Sequence, residues 1–465
     1  MLRIGIAETN ITPEPGLRVA GMLNPPKAEG TQWPLFGRVV VFDDGIHPAA
    51  IVSLDNLLLA PAIIPELRQA MTAGTGLEPS DVMIACTHTH RAPFTAALMD
   101  EDIDFGYVDD LRQRLAGCMA QGMQARQPAQ CKAGHIQAPG WTFNRRQVYR
   151  SERYGEQVGT QGPQTIDPFL RNEGPEDNEL KVVRFETPAG KGLGGLVNFA
   201  CHTTVMGGEP VYSADYAGPL TDELTRHYGG IFGFLQGAAG NLWCIDTSQM
   251  TSVLARDYMG ADHAQRMGSA LAQKASEALD SSRTVTGGRV RMAREVLRIP
   301  QRRPTKEQVE LAKWYLEQAP QDINQQEFTR KVYNHDFTFF NNDAVVQEWF
   351  AREIIGMWEW QRRVGTRQLI EEVEIQVIAV GDVAFVGLPG EIFTEFGLQI
   401  KAQSPFEQTF VIELANGWHG YIPTVEAFAH GGYEPRLGYA SRLVPEAGDL
   451  MCSTTLRLLH QLTVD

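Results

Sequence analysis

Short apolar runs broken by Gly, Pro, Asp and Asn recur along the whole chain, the pattern of strands separated by turns. Val39-Val40-Val41-Phe42 and Ala50-Ile51-Val52-Ser53-Leu54 flank Asp43-Asp44-Gly45 and predict a hairpin. A helix over residues 61–71 leads to the run Asp81-Val82-Met83-Ile84-Ala85-Cys86. Val108, Leu111, Leu115 and Met119 recur at spacings of three and four, which predicts a helix over 108–124 with one apolar face. Val182-Val183-Arg184-Phe185 and Leu196-Val197-Asn198-Phe199 form a second hairpin across a Gly-rich turn. Ile231-Phe232-Gly233-Phe234-Leu235 is a short buried strand ending in Gly237-Ala238-Ala239-Gly240-Asn241. Ala264, Met267, Leu271 and Ala275 mark another amphipathic helix. Val373, Ile375, Val377 and Ala379 alternate as a strand, and Gly381-Asp382 turns the chain into the next. That strand ends at Pro389-Gly390-Glu391, and a helix over 392–402 follows.

Two segments read differently. Residues 128–178 are rich in Gly, Pro, Arg, Gln and Tyr with little periodicity, so they are expected as long loops able to cover a site. Over residues 304–365, Thr305 and Gln308 form a capping box ahead of an amphipathic helix, and aromatic residues follow. This segment is expected as a helical insertion, serving as a lid, an oligomer surface or plain packing. The fold class expected is mixed α/β, with sheets packed against helices. Residues 1–465 are expected as one unit, because the candidate site residues come from both halves of the chain.

Composition narrows the function classes. With 465 residues, 43% hydrophobic and 21% charged, the chain is ordinary globular material. Its net charge of −15, from 56 acidic and 41 basic residues, disfavours a nucleic-acid surface. No stretch approaches the roughly 20 apolar residues needed to cross a bilayer, so stable membrane association is not expected. The first residues lack the basic, apolar and small-residue segments of a secretory signal, and a cytoplasmic location is the expectation. Cys86, Cys118, Cys131, Cys201, Cys244 and Cys452 are scattered without a CxxC pair and read as buried small hydrophobes; Cys244 stays open as a nucleophile. Assembly as a homo-oligomer also stays open.

Candidate chemistry sits at the ends of the apolar runs. Thr87-His88-Thr89-His90 follows the run ending at Cys86, His202 follows Gly195–Cys201, and Glu391 follows the run after Val383. Tyr421 lies in the Gly/aromatic stretch Asn416-Gly417-Trp418-His419-Gly420-Tyr421. Two imidazoles, a carboxylate and an open position describe a hydrolytic zinc centre. In an extended strand, side chains two apart share a face, so His88 and His90 are expected to point the same way. Each residue has an ordinary reading beside this one. His202 reads equally as a satisfied core histidine. Asp215 could cap the helix beginning near Pro219, and Glu391 could fill the first turn of its own helix. Arg145 and Arg146 could be surface charges, and Tyr421 and Tyr433 aromatic packing.

Taken in order, several blocks resemble the catalytic domain of the neutral/alkaline ceramidase family over most of residues 1–440. They are Ile11-Thr12-Pro13, Thr87-His88-Thr89-His90 with Pro93, Asn144-Arg145, Asn198-Phe199-Ala200-Cys201-His202 and Ser213-Ala214-Asp215-Tyr216-Ala217-Gly218. Phe234-Leu235-Gln236-Gly237-Ala238-Ala239-Gly240, Leu388-Pro389-Gly390-Glu391, Gly420-Tyr421-Ile422-Pro423-Thr424 and Gly432-Tyr433-Glu434 complete the set. The resemblance implies a fold of mixed sheets and helices and one zinc ion per chain, bound by His88, His202, Glu391 and Tyr421. It further implies that His90, Arg145 and Tyr433 line the substrate pocket, and that the reaction is hydrolysis of an N-acyl amide. Zinc lowers the pKa of bound water from about 15.7 to roughly 7, which supplies a nucleophile at neutral pH. His90, Tyr433 or Arg145 could stabilise the oxyanion. His90 is the first choice, and Asp215 the second, for the proton delivered to the leaving amine.

Where the family commonly reads Gly-Asp followed closely by a catalytic serine, this chain reads Gly240-Asn241-Leu242-Trp243-Cys244. Asn241 cannot act as a general base and Trp243 offers only an N–H, so both are expected to shape substrate binding. A secretory signal and the family's C-terminal β-sandwich domain are expected to be absent. The expectation is therefore a zinc-dependent hydrolase cleaving an N-acyl amide of a soluble small molecule by a metal-activated water. The alternatives are an esterase or lactonase on the same centre, or a non-catalytic zinc-binding relative.

Overall fold

In the computed structural model, residues 1–98, 101–151, 155–160, 169–246, 259–318, 344–364 and 369–463 are described. Among the described residues three main sheets of four or five strands, with smaller ones and the helices packed on them, make a mixed α/β architecture, as the pattern predicts. The first sheet runs in the order Val82–Cys86, Ala49–Leu54, Phe36–Asp43, Arg3–Asn10, Gln127–Pro128. The second runs Ile231–Gln236, Gly192–Phe199, Glu179–Glu186, Gln130–Gln137, Arg283–Thr284, and the third Val290–Pro300, Ile370–Val380, Val383–Gly387, Gln408–Ile412. Both predicted hairpins are antiparallel pairs.

The sheets share a core. Val40 and Phe42 of the first, Phe185 and Leu196 of the second, and Phe385 and Phe410 of the third belong to one buried cluster. The Phe42 ring lies 5.6 Å from Phe185 and 5.9 Å from Phe385. Helices cover the outer faces: Phe105–Gln124 packs on the first sheet, Ala261–Asp280 on the second and Ala447–Gln461 on the third. These helices bury the predicted apolar positions, such as Leu111 and Leu115 or Met267 and Leu271.

One topological fact positions everything that follows. Each main sheet contains one parallel pair: Ala49–Leu54 with Val82–Cys86, Gly192–Phe199 with Ile231–Gln236, and Val383–Gly387 with Gln408–Ile412. Parallel neighbours end on the same side, so the loops after them emerge together. Backbone bonds then tie the three sets of loops into one platform. Cys86 N–H donates to Leu414 C=O (3.2 Å), Asn416 N–H to Ile84 C=O (2.7 Å) and Glu413 N–H to Gln236 C=O (3.0 Å).

Residues 128–178 depart from the loop expectation. Gln130–Gln137 is an interior strand of the second sheet, paired along its length with Glu179–Glu186, and Arg146–Ser151 lies between Gly155–Thr160 and Phe169–Asn172. The pairing partner of Gln130–Gln137 lies more than forty residues away in sequence and supplies the ladder that local propensity does not signal. Residues 152–154 and 161–168 of this stretch are outside the described residues. Thr305 caps the helix Lys306–Glu317 as read, and that helix packs on Ala344–Arg363; residues 319–343 between them are outside the described set.

Candidate metal centre

His88 and His90 do not lie on a strand, which corrects the shared-face argument. The strand stops at Cys86, and His88 takes a left-handed backbone, φ 65°. That conformation is uncommon for a residue with a side chain and is held here by threonine hydroxyls. Thr203 Oγ1 donates to Thr87 C=O (2.7 Å) and Thr89 Oγ1 to Ser213 C=O (2.5 Å). The bend still brings both rings to one place: their centroids are 4.9 Å apart, and His202 lies 4.6 Å from His88. One ring nitrogen from each of His88, His90 and His202 falls within 4.8 Å of the others.

The hydrogen bonds of these rings decide which nitrogen is free. Nδ1 of His88 meets Leu57 C=O (3.1 Å), Nδ1 of His90 meets Gly21 C=O (2.9 Å) and Nδ1 of His202 meets Ala239 C=O (2.8 Å). A carbonyl only accepts, so each Nδ1 carries the proton and donates it. Each Nε2 is left as a bare lone pair, and all three are buried without a hydrogen-bond partner. Glu391 Oε2 stands 3.5 Å from His88 Nε2 and 3.3 Å from His202 Nε2, while its Oε1 accepts from Trp418 Nε1 (3.0 Å). Acceptors facing acceptors in a buried space repel unless a cation lies among them.

Protonating the imidazoles would relieve this repulsion, but burial opposes it. Burial, reinforced by Arg145 and His88, pushes His202 down to about 3, and burial with His88 and His202 beside it holds His90 well below its ordinary value. Glu391, which accepts from Trp418 Nε1, adds a carboxylate to the set. Neutral imidazoles oriented through Nδ1–H···O=C bonds, plus a carboxylate, are the donor set and outer-shell arrangement of a metal site.

Glu391 and Tyr421 are register partners in a two-residue parallel pair, Glu391–Ile392 beside Tyr421–Ile422. Arg145 Nη2 donates to the Tyr421 hydroxyl (3.2 Å) and to Gly240 C=O (2.8 Å). Glu434 holds Arg145 Nε (2.8 Å) and Arg146 Nη1 (2.7 Å) in its two carboxylate oxygens, all three groups being buried. The Tyr433 ring is 5.6 Å from that of Tyr421, and burial pushes its phenol up to about 12. His88, His90, His202, Glu391, Tyr421, Arg145 and Tyr433 thus form one contiguous set.

The described fold is similar to that of solved structures. Those described as neutral ceramidase from Pseudomonas aeruginosa (TM-score 0.70, 18% identity, covering 99% of this chain and 74% of that one) and as ceramidase complexed with C2 (TM-score 0.69, 17% identity, 99% and 75%) share it. At this identity the likeness is one of fold. No protein-family model matches the chain, and no curated protein matches it.

Three of the residues picked from sequence lie around this set with their polar atoms engaged. Asp215 is not a helix cap: the helix begins at Ala217, and Asp215 accepts from Met206 N–H (2.8 Å) and Tyr216 N–H (2.7 Å). Burial pushes its carboxyl up to about 6. Asn241 donates to Glu395 (2.9 Å) and accepts from Thr394 N–H (2.9 Å), anchoring the loop whose Asn241 C=O accepts from Arg145 N–H. Trp243 Nε1 donates to Thr204 (2.9 Å). Burial pushes the Cys244 thiol up, which disfavours the thiolate a nucleophile needs.

Sequence reading passed over two acids behind the site. Glu413 Oε2 accepts from Ala239 N–H (3.1 Å) and Ile392 N–H (2.8 Å), tying the loop that orients His202 to the strand that carries Glu391. Glu434 clamps both arginines. Their signal was a lone acid ending an apolar run in one case and an acid inside a quoted block in the other.

Proposed function

We propose that the chain is a zinc-dependent hydrolase that cleaves an N-acyl amide of a small molecule, with His88, His202, Glu391 and Tyr421 as the residues that hold the ion. The observation that carries this reading is the cluster of buried, partnerless Nε2 lone pairs facing the Glu391 carboxylate. Bound there, zinc would supply Lewis acidity and a water acidic enough to attack at neutral pH. The fold shared with proteins described as ceramidases supports the amide as the bond attacked.

The chain's own residues have distinct tasks in this reading. His90, which is not among the ion's four ligands here and is the histidine of the three that is not fully buried, is assigned the proton delivered to the departing amine. Arg145 stands against the Tyr421 hydroxyl and stabilises negative charge on that oxygen and on an oxyanion forming beside it. Glu434 keeps Arg145 charged and fixed; Glu413 and Trp418 set the positions of His202's loop and of Glu391. Trp243 and Asn241 shape the adjoining wall, with Asp215 behind it holding the turn after Ser213.

Chromogenic amides, esters and lactones, assayed with and without a chelator, test this. Amide turnover that chelation abolishes and zinc restores is the expected result. Turnover of esters or lactones alone would replace the amidase by its nearest rival. Bound metal with no turnover of any acyl substrate would replace it by a binding protein.

A further inference from the structure

Directly after His90 the chain buries an arginine that makes no ion pair among the described residues. Arg91 is 1% exposed; Nη1 donates only to the thioether sulfur of Met22 (3.5 Å), and Nε has no acceptor. Among the described residues every other buried arginine has a carboxylate close by. Arg38 pairs with Asp55 (2.9 Å), Arg68 with Glu374 (2.7 Å), Arg145 and Arg146 with Glu434 (2.8 and 2.7 Å) and Arg436 with Glu353 (2.7 Å). Asp215 and Glu209 act on Arg91 as charges at longer range, and the oxygens of Asp215 already accept two backbone N–H groups. A guanidinium taken out of water without an anion is costly, and a carboxylate brought to it would offset that cost through its matching fork geometry.

Its location bears on the source of that carboxylate. Met22 follows Gly21, whose carbonyl orients His90, and both are half-exposed, as His90 is. The guanidinium is therefore covered by the flexible thioether side chain of the residue that follows the one orienting His90. We propose that Arg91 is a receptor for a carboxylate on the substrate, so that the compound cleaved is an N-acyl amino acid or a close analogue. The carboxylate displaces the Met22 side chain and engages the guanidinium through paired charge-assisted hydrogen bonds. This deepens the hydrolase reading and rests on it for the bond broken, but not for the binding.

The experiment compares matched ligands on the metal-loaded full chain by calorimetry: N-acetylglycine against N-acetylglycinamide, which differ in the one charge. The expected result is binding of the carboxylate at least tenfold tighter than the amide, with the difference erased in Arg91→Gln. Equal binding by the wild type, or a preference that persists in Arg91→Gln, overturns the proposal. If that variant does not fold, the wild-type comparison decides alone. Hydrolysis of the corresponding long-chain N-acyl pair separates the two readings. Equal cleavage of acid and amide defeats the Arg91 assignment while leaving the hydrolase. Arg91-dependent binding with no cleavage upholds the receptor and defeats the hydrolase.

Discussion

His202 shows most clearly how one side chain is committed to a role. Its Nδ1 proton is spent on Ala239 C=O, its Nε2 faces Glu391, and burial holds it neutral. His202→Ala and Glu391→Gln are each expected to lose metal and activity together while circular dichroism stays native; full activity without metal in either would refute the ligand assignment. The histidine also fixes a pH dependence. Its pKa in the folded protein, about 3, is depressed from the ordinary 6.5, so between these values the unfolded chain binds the proton more readily. The contribution is therefore fully present above 6.5 and is lost as pH falls through this window. Urea midpoints of metal-free protein should drop between pH 7 and pH 4, and His202→Gln should lessen the drop; an unchanged slope would contradict the assignment. Glu434 carries the clearest stability prediction. Glu434→Ala leaves Arg145 buried without its carboxylate, while Arg146 keeps Glu173, and is expected to cost about 3–5 kcal/mol in denaturant unfolding. At this scale the sequence displayed ligand types well and geometry poorly. Histidines at run ends were visible, whereas nothing in the sequence singles out Arg91, because only its burial shows that it makes no ion pair among the described residues.

At the scale of elements, the parallel strand pairs explain why residues from distant parts of the chain meet. Apolar runs ending in polar residues made the strands and their outlets legible. The pairings were less so: Gln130–Gln137 is polar and weakly periodic and becomes a strand because Glu179–Glu186 offers it a ladder. The Thr87–His90 segment misled for a related reason, since an HxH read as extended is in fact a bend secured by hydroxyls from Thr203 and Thr89. The segment facing it allows a direct test. Gly21 has φ +92°, and a Cβ there would fall 2.3 Å from His90 Nδ1. Gly21→Ala is expected to displace the His90 ring and lower kcat/KM by about 100-fold, the usual consequence of roughly 1 Å of misplacement, with metal content preserved. Wild-type kinetics in this variant would remove His90 from the chemistry.

For the molecule as a whole, three sheets meeting through Phe42, Phe185 and Phe385 give a rigid base with one loop-bearing side. Mixed α/β architecture followed from the alternation of strand and helix patterns; the meeting of three separate sheets did not, because it depends on which apolar faces find each other across hundreds of residues. Among the described residues no helix is long and apolar enough to cross a membrane. The central claim is that this base gathers buried lone pairs around an ion. Elemental analysis of the protein purified without added metal tests it most directly. One equivalent of zinc per chain, removed by a chelator and regained on dialysis against zinc, is the predicted result. A protein that carries no divalent metal and takes up none, yet still folds and turns over acyl substrates, would contradict it.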